Sequence, residues 1–326
     1  MTSGIRYLRG DDVVAAMPPL RERLDLAERT MTALVADAEL PPKIGVHPRP
    51  DGSFAHAMPA ALRPAAPDAT TRDDLLGMKW VTGFPANRAA GDAPINALVV
   101  LNDPATGRPI AILDGGPITA QRTAAVSGVV VRRFADPVTR TVAIIGAGVQ
   151  GASHAEMLAG VLPGATILVH DRHPERAAAL AAASGGQAVA SAREATEAAD
   201  VVITAVTFAR PEDRQRMTAD WLRPDALVVA VDYAAMCAAA VARDAALFLT
   251  DDRGQFLANR VGGQFDDYPD PTMTIGEAIL AGTGRPAPGS GRVVASHLGV
   301  GLADLVFADA IVTRANALGL GVELPR

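Results

Sequence analysis

Beyond Thr141 the chain alternates between short, almost continuously apolar runs rich in β-branched residues and stretches whose apolar positions recur three and four apart. Strands buried on both faces, separated by covering helices, produce that alternation. The runs lie at 141–145, 165–170, 187–190, 201–206, 226–231 and 246–250, with helices predicted over 149–161, 174–183 and 192–198. Repetition of this unit predicts a parallel, doubly wound α/β sheet. Upstream the extended segments are shorter, at 42–47, 77–83 and 97–101, and are punctuated by Asp51-Gly52 and Asn102-Asp103-Pro104. That pattern predicts an antiparallel sheet preceded by a helix near 18–34. A further helix is expected from Ile118, capped by Thr119, and a last one over 297–318 after a Gly/Pro-rich turn at 282–291, with no strand expected beside it.

The first apolar run of the second half leads straight into Gly146-Ala147-Gly148-Val149-Gln150-Gly151. Glycines at this spacing, after a strand and at the head of a helix, form a phosphate-binding turn. The first permits the tight turn, the second lets backbone approach a pyrophosphate, and the third allows close helix packing. The next strand ends at Asp171, 25 positions after Gly146, near the spacing at which a carboxylate takes ribose hydroxyls. The expected cofactor is therefore a dinucleotide, held by Gly146, Gly148, Val149, Gln150 and Gly151, with Asp171 and Arg172 at the adenosine end and Thr123 also assigned to it. Asp171 favours NAD over NADP because it repels a 2′-phosphate, whereas Arg172 and Arg176 pull the other way.

Composition narrows the chemistry. The chain has 326 residues, 49% of them hydrophobic, a net charge of −6 and 4% aromatics. The length suggests two domains. The charge gives no reason to expect nucleic acid or an anionic membrane, and aromatic stacking platforms are few. Residues 1–12 have no apolar signal core and no run spans a bilayer, so a cytoplasmic protein acting on a small molecule is expected. The single cysteine, Cys237, reads as a packing residue. His170 and His173 flank Asp171 but lie where adenosine is expected, so no metal is assigned.

Of 30 basic residues only two are lysines, Lys43 and Lys79. A compact ammonium and a planar guanidinium are not interchangeable where donor geometry matters, so both lysines are candidates for a site. Strand alternation puts Lys79 on the face of Val81, opposite Met78 and Trp80; the competing reading is a side chain reaching to solvent. Arg122, close behind the expected cap at Thr119, stands where a helix dipole disfavours a cation, which suggests an anionic partner. Asp232 follows a parallel strand at the carboxyl edge of the sheet, where doubly wound folds bind ligands, or else caps the next helix.

These motifs, together with Pro42-Lys43, Met58-Pro59-Ala60, Met78-Lys79-Trp80-Val81, Phe84-Pro85-Ala86-Asn87, Asp103 with Thr106-Gly107, residues 119–125 and residues 299–304, occur in one order over essentially the whole chain. In this the chain resembles the ornithine cyclodeaminase/mu-crystallin family. The resemblance implies a Rossmann-type dinucleotide domain at 118–295 and an α+β substrate-binding and dimerisation domain at 1–117 and 296–326, in a homodimer. It implies that Lys43, Lys79 and Arg122 bind a substrate carboxylate and that Asp232 is the catalytic acid-base. The expected activity is NAD(P)-dependent chemistry at the C–N bond of an α-amino or α-imino acid, either cyclodeamination, a lyase reaction, or reduction of a cyclic ketimine. The alternative is a dinucleotide-binding protein with little turnover. Two departures bear on substrate. The segment before Met58 reads Phe54-Ala55-His56-Ala57, without the acid that meets an amino group in members acting on ornithine, and Asp232 is followed by Tyr233-Ala234-Ala235 rather than by charged residues.

Overall fold

A computed structural model describes residues 4–63, 74–207 and 211–325. The chain divides into two compact units, Met1–Arg122 with Val300–Arg326, and Thr123–Gly299. The first division falls inside the helix Gly115–Phe134, where the family resemblance implied 117/118.

The first unit is built on an eight-stranded sheet. Its order is Val322–Leu324, Ile5–Leu8, Pro109–Asp114, Ile95–Asn102, Leu75–Gly83, Phe54–Leu62 and Ala38–Glu39, with Ile44–Val46 also paired to Phe54–Leu62. All its pairings are antiparallel except that of Ile5–Leu8 with Pro109–Asp114. Leu75, Gly77, Lys79, Val81 and Gly83 alternate inward along their strand. The helix Gly301–Leu318 packs on that strand and its two neighbours, and also against the helix Leu20–Ala36. Close approach is allowed where glycine replaces a side chain: a Cβ on Gly301 would lie 2.5 Å from the Met58 carbonyl oxygen.

The second unit holds an all-parallel sheet ordered Gln187–Ala188, Thr166–His170, Thr141–Ile145, Val201–Thr204, Leu227–Ala230, Val293–Ser296, Leu247–Thr250 and Met273–Thr274. Chain order reverses at Thr141–Ile145, and the crevice at the carboxyl end of such a strand is the ligand position of a doubly wound fold. The strand Val293–Ser296 is unexpected from sequence. Only four residues long, it inserts between Leu227–Ala230 and Leu247–Thr250 and is buried throughout; a run so short after a Gly/Pro-rich turn carries no periodic signal.

Two helix starts differ from the sequence reading. The long helix begins at Gly115, not at a Thr119 cap. Pro117 fits the first turn, where a helix needs no N–H, and Asp114 accepts from the Gly116 N–H at 2.8 Å. Thr119 is then a residue within the helix whose hydroxyl donates to the Gly115 carbonyl. Arg122 consequently stands about two turns inside, so the helix terminus cannot explain its need for an anion. The last helix begins at Gly301 rather than 297.

Candidate active site

The anion that Arg122 needs is supplied by the chain itself. Asp304, in the first turn of Gly301–Leu318, lies 3.1 Å from Arg122 Nε through Oδ1 and 2.7 Å from Lys79 Nζ through Oδ2. Lys79 does not reach to solvent: it is 1% exposed, and Arg122 and Asp304 are also buried. Burial, and next the nearby Arg122, push the Lys79 ammonium down to about 7, although Asp304 opposes the shift. Lys43 adds to the same field. Of the three cations expected to bind a carboxylate, Lys79 and Arg122 thus meet on Asp304, and Lys43 lies near enough to act on Lys79. Removing charges from water is costly unless each is compensated, so the arrangement has capacity for a further anion.

His56 belongs to this neighbourhood. Its pKa is pushed down to about 4, chiefly by burial and then by Lys43, His47 and Lys79, so the ring is neutral at pH 7. Its imidazole stacks on Phe54, with centroids 4.6 Å apart.

Asp232 sits in the second unit, two residues beyond the strand Leu227–Ala230. It caps no helix. Thr204 Oγ1 donates to its Oδ1 at 2.9 Å and the Val206 N–H to its Oδ2 at 3.2 Å. Burial pushes the carboxyl up to about 7, against the pull of those two donors and of its own backbone N–H. A group poised there can give or take a proton near neutrality. Tyr233, immediately after it, has φ +61°, an uncommon conformation for a bulky residue; its ring lies against Phe265 and its hydroxyl donates to the Leu298 carbonyl at 3.4 Å.

The glycine loop has the shape its sequence predicts. Gly146 has φ +109°, and a Cβ there would lie 2.4 Å from the Ala205 carbonyl oxygen. A Cβ on Gly151 would lie 2.1 Å from the Gly146 carbonyl oxygen, whereas one on Gly148 would meet nothing within 4 Å. Gly148 precedes the helix Val149–Val161 without a side-chain cap, and Val149 is 72% exposed, so the helix N-terminus is open to a pyrophosphate. Asp171 accepts from the Ala147 N–H at 2.8 Å and from the His173 N–H at 2.9 Å, which fixes its carboxylate beside the loop. Arg172 and Arg176 are exposed. These residues fit a dinucleotide. Thr123 is buried next to Arg122 in the long helix. His170 faces the Val189 carbonyl and His173 faces Glu175, at 3.3 and 3.7 Å.

Sequence reasoning passed over two features. Asp304 was visible as an acid in an otherwise apolar helix, but nothing local shows that it meets residues 79 and 122. The second is a buried network in which Ser127 Oγ lies 2.8 Å from Nε2 of both His154 and His297. His154 Nδ1 faces the Gln150 carbonyl at 2.6 Å and must carry the proton there, so its Nε2 accepts from Ser127 and His297 donates to Ser127. The network ties the helix behind the glycine loop to the long helix and to the end of Val293–Ser296.

Comparison with known proteins agrees with this geometry. The model of the Ornithine cyclodeaminase/mu-crystallin family matches residues 13–247. The nodulation efficiency protein NfeD of Rhizobium meliloti is 33% identical over 330 residues, covering 98% of each chain. The ketimine reductase mu-crystallin of Mus musculus is 29% identical over 252 residues, 75% of this chain and 78% of the mouse protein. Among solved structures, Thermococcus litoralis Delta(1)-pyrroline-2-carboxylate reductase in complex with NADH and L-proline shares the fold with a TM-score of 0.84 at 24% identity, over 98% of this chain and 100% of that one.

Proposed function

We infer, since the chain belongs to the ornithine cyclodeaminase/mu-crystallin family, that it is an NAD(H)-dependent reductase of α-imino acids. The observation that carries this reading is the buried pair of cations, Lys79 and Arg122, on the single carboxylate of Asp304. With Lys43, this cluster would hold the substrate's α-carboxylate and orient the α-carbon. The glycine loop and the head of Val149–Val161 would hold the pyrophosphate, and Asp171 the adenosine ribose. The bound nicotinamide supplies hydride in reduction and accepts it in the reverse direction. Asp232 would keep the substrate nitrogen protonated during reduction and take up the proton in the reverse direction. The mouse and Thermococcus proteins are named as reductases of this chemistry, which supports reduction over cyclodeamination. So does the segment Phe54-Ala55-His56-Ala57, which holds no acid where a diamino acid would need one.

The test is NADH oxidation by purified protein over a panel of α-imino acids, comprising Δ1-pyrroline-2-carboxylate and the imines formed from 2-oxo acids with ammonia, beside ornithine with NAD+. Reduction of at least one imino acid is expected. Inactivity across the panel, with NADH still bound in a direct titration, would instead favour a dinucleotide-binding protein without turnover.

A second part of the reading concerns assembly. In the first unit's sheet, Ala57, Trp80 and Leu98 form one cross-strand row that ends at Asp114, and Pro59, Met78, Val100 and Ile112 form the next, on the face opposite Lys79. Trp80, Leu98 and Ile110 are exposed. A contiguous apolar sheet face of this kind suits a two-fold partner, and a homodimer through it is expected by light scattering. Trp80→Glu should shift the mass to that of one chain.

A further inference from the structure

We propose that Thr204 is a positioning residue for the proton transfer at Asp232: its hydroxyl donates to the carboxylate and accepts from the carboxyl, so that the acid keeps one orientation in both protonation states. The proposal rests on the reading of Asp232 as the acid-base group and deepens it.

Thr204 ends the strand Val201–Thr204, which runs between Thr141–Ile145 and Leu227–Ala230. Its backbone is paired on both sides, with Ile145 and with Ala230, and its carbonyl accepts from the N–H of Val231, the residue before Asp232, at 3.0 Å. Thr204 is fully buried. A β-branched side chain is stiff about its first torsion, so the hydroxyl oxygen is placed by the sheet itself. It lies 2.9 Å from Asp232 Oδ1, while the Val206 N–H holds Oδ2 at 3.2 Å. One short stretch of chain thus grips both oxygens of the carboxyl.

The two partners differ in kind. A backbone N–H can only donate, so it keeps Oδ2 as an acceptor. A hydroxyl donates and accepts, and its hydrogen turns to suit. Opposite the carboxylate it donates, in a charge-assisted bond. Opposite the protonated acid it turns and accepts the proton carried on Oδ1. Asp232 is 1% exposed, and a carboxyl O–H buried without an acceptor would bear the cost of an unmade hydrogen bond. With a midpoint at about 7, both forms are populated near neutrality, and rotation of one hydroxyl accommodates the change without rotation of the acid. When the proton passes to the substrate nitrogen, the hydroxyl turns back to the carboxylate left behind. Cys237 and Tyr268 feel the charge of Asp232, and burial pushes both up, the thiol to about 12, so both stay neutral through this range.

The test titrates Asp232 directly. Its carboxylic C=O infrared band, assigned by its loss in Asp232→Asn, is followed with pH in wild type, Thr204→Val and Thr204→Ser. Thr204→Val keeps the shape and removes the hydroxyl. The midpoint should rise by about one pH unit, since the charge-assisted bond lost by the carboxylate is roughly twice as strong as the neutral bond lost by the acid. Thr204→Ser keeps the hydroxyl and should hold the wild-type midpoint. With an imino acid that wild type reduces, Thr204→Val should lower kcat roughly 10-fold, part of what an acid-base group supplies, with KM little changed. NADH titration of each variant checks that the fold is retained, and Thr204→Ala replaces the valine variant if that one does not bind NADH. A midpoint unmoved or lowered by loss of the hydroxyl, a midpoint moved equally by Thr204→Ser, or an unchanged kcat in Thr204→Val would overturn this proposal and leave the imino-acid reading standing. The band titrates without turnover, so inactivity on every imine beside a midpoint raised in Thr204→Val would overturn that reading alone.

Discussion

Each unit of this protein buries a carboxyl group central to its proposed chemistry, and the neighbours of the two make them different instruments. Asp304 meets Lys79 and Arg122, so it serves as the fixed counter-charge of a cationic cluster. Among the described residues Asp232 meets a hydroxyl and backbone N–H groups, and burial lifts it to about 7. A buried acid opposite cations organises charge, whereas a buried acid opposite neutral donors is free to exchange a proton. The comparison also explains why the cluster needs an acid of its own: without Asp304 two buried cations would lose the carboxylate they share, and the apo fold would bear more of the cost of their desolvation.

The largest expected effect comes from breaking the first centre. Asp304→Asn should cost about 3–5 kcal/mol of stability, the range for removing one side of a buried ion pair, read as a lower urea midpoint at unchanged slope. Adding Lys79→Met should restore part of the loss; no recovery would mean that Asp304 does not act as their counter-charge. Asp232→Asn should do the opposite, lowering turnover roughly 100-fold while costing stability only about 1 kcal/mol, that of a weakened hydrogen bond. Its NADH affinity should hold, and surviving turnover would move the acid-base role elsewhere.

The pH profile sharpens the contrast between the centres. Asp232 is raised and Lys79 lowered, both to about 7. Reduction needs the protonated form of each, so its kcat/KM should fall as pH rises through about 7. Oxidation needs Asp232 deprotonated and Lys79 protonated, so its profile should be a bell with its maximum near 7. A reductive rate that rises with pH above 7 would contradict both assignments. The smallest effect is expected at the cofactor: Asp171→Ala should move the NADPH:NADH preference toward NADPH roughly 5-fold, corresponding to about 1 kcal/mol for a near-surface charge pair. Tighter NADPH than NADH binding by wild type, measured directly, would show that Arg172 and Arg176 outweigh Asp171.

Much of this was legible along the chain. The parallel sheet follows from apolar runs such as Val201–Thr204 and Leu227–Ala230, and the glycine loop announces itself because three glycines at fixed spacing are a local backbone requirement. Lys43 and Lys79 stood out against 28 arginines, whereas Arg122 was singled out from a helix start that the structure moves to Gly115. Other features were hidden for identifiable reasons. Gly115-Gly116-Pro117 reads as a breaker, yet forms a first turn because Asp114 accepts from its backbone. Val293–Ser296 is too short to show a period.

By itself, then, the sequence determined what depends on neighbours in the chain: strand and helix periods, the glycine turn, the face that Lys79 shares with Val81 and the carboxyl-edge position of Asp232. Tertiary structure alone decided which groups meet across long separations. Asp304 lies 182 residues from Arg122, and Ser127 lies 27 and 170 residues from its two histidines. Whether Lys79 reaches solvent or an ion pair, and whether Asp232 titrates as an ordinary acid or near 7, depends on the burial and partners that folding supplies. Electrostatic energy depends on distance and dielectric surroundings, and neither is written in the order of residues.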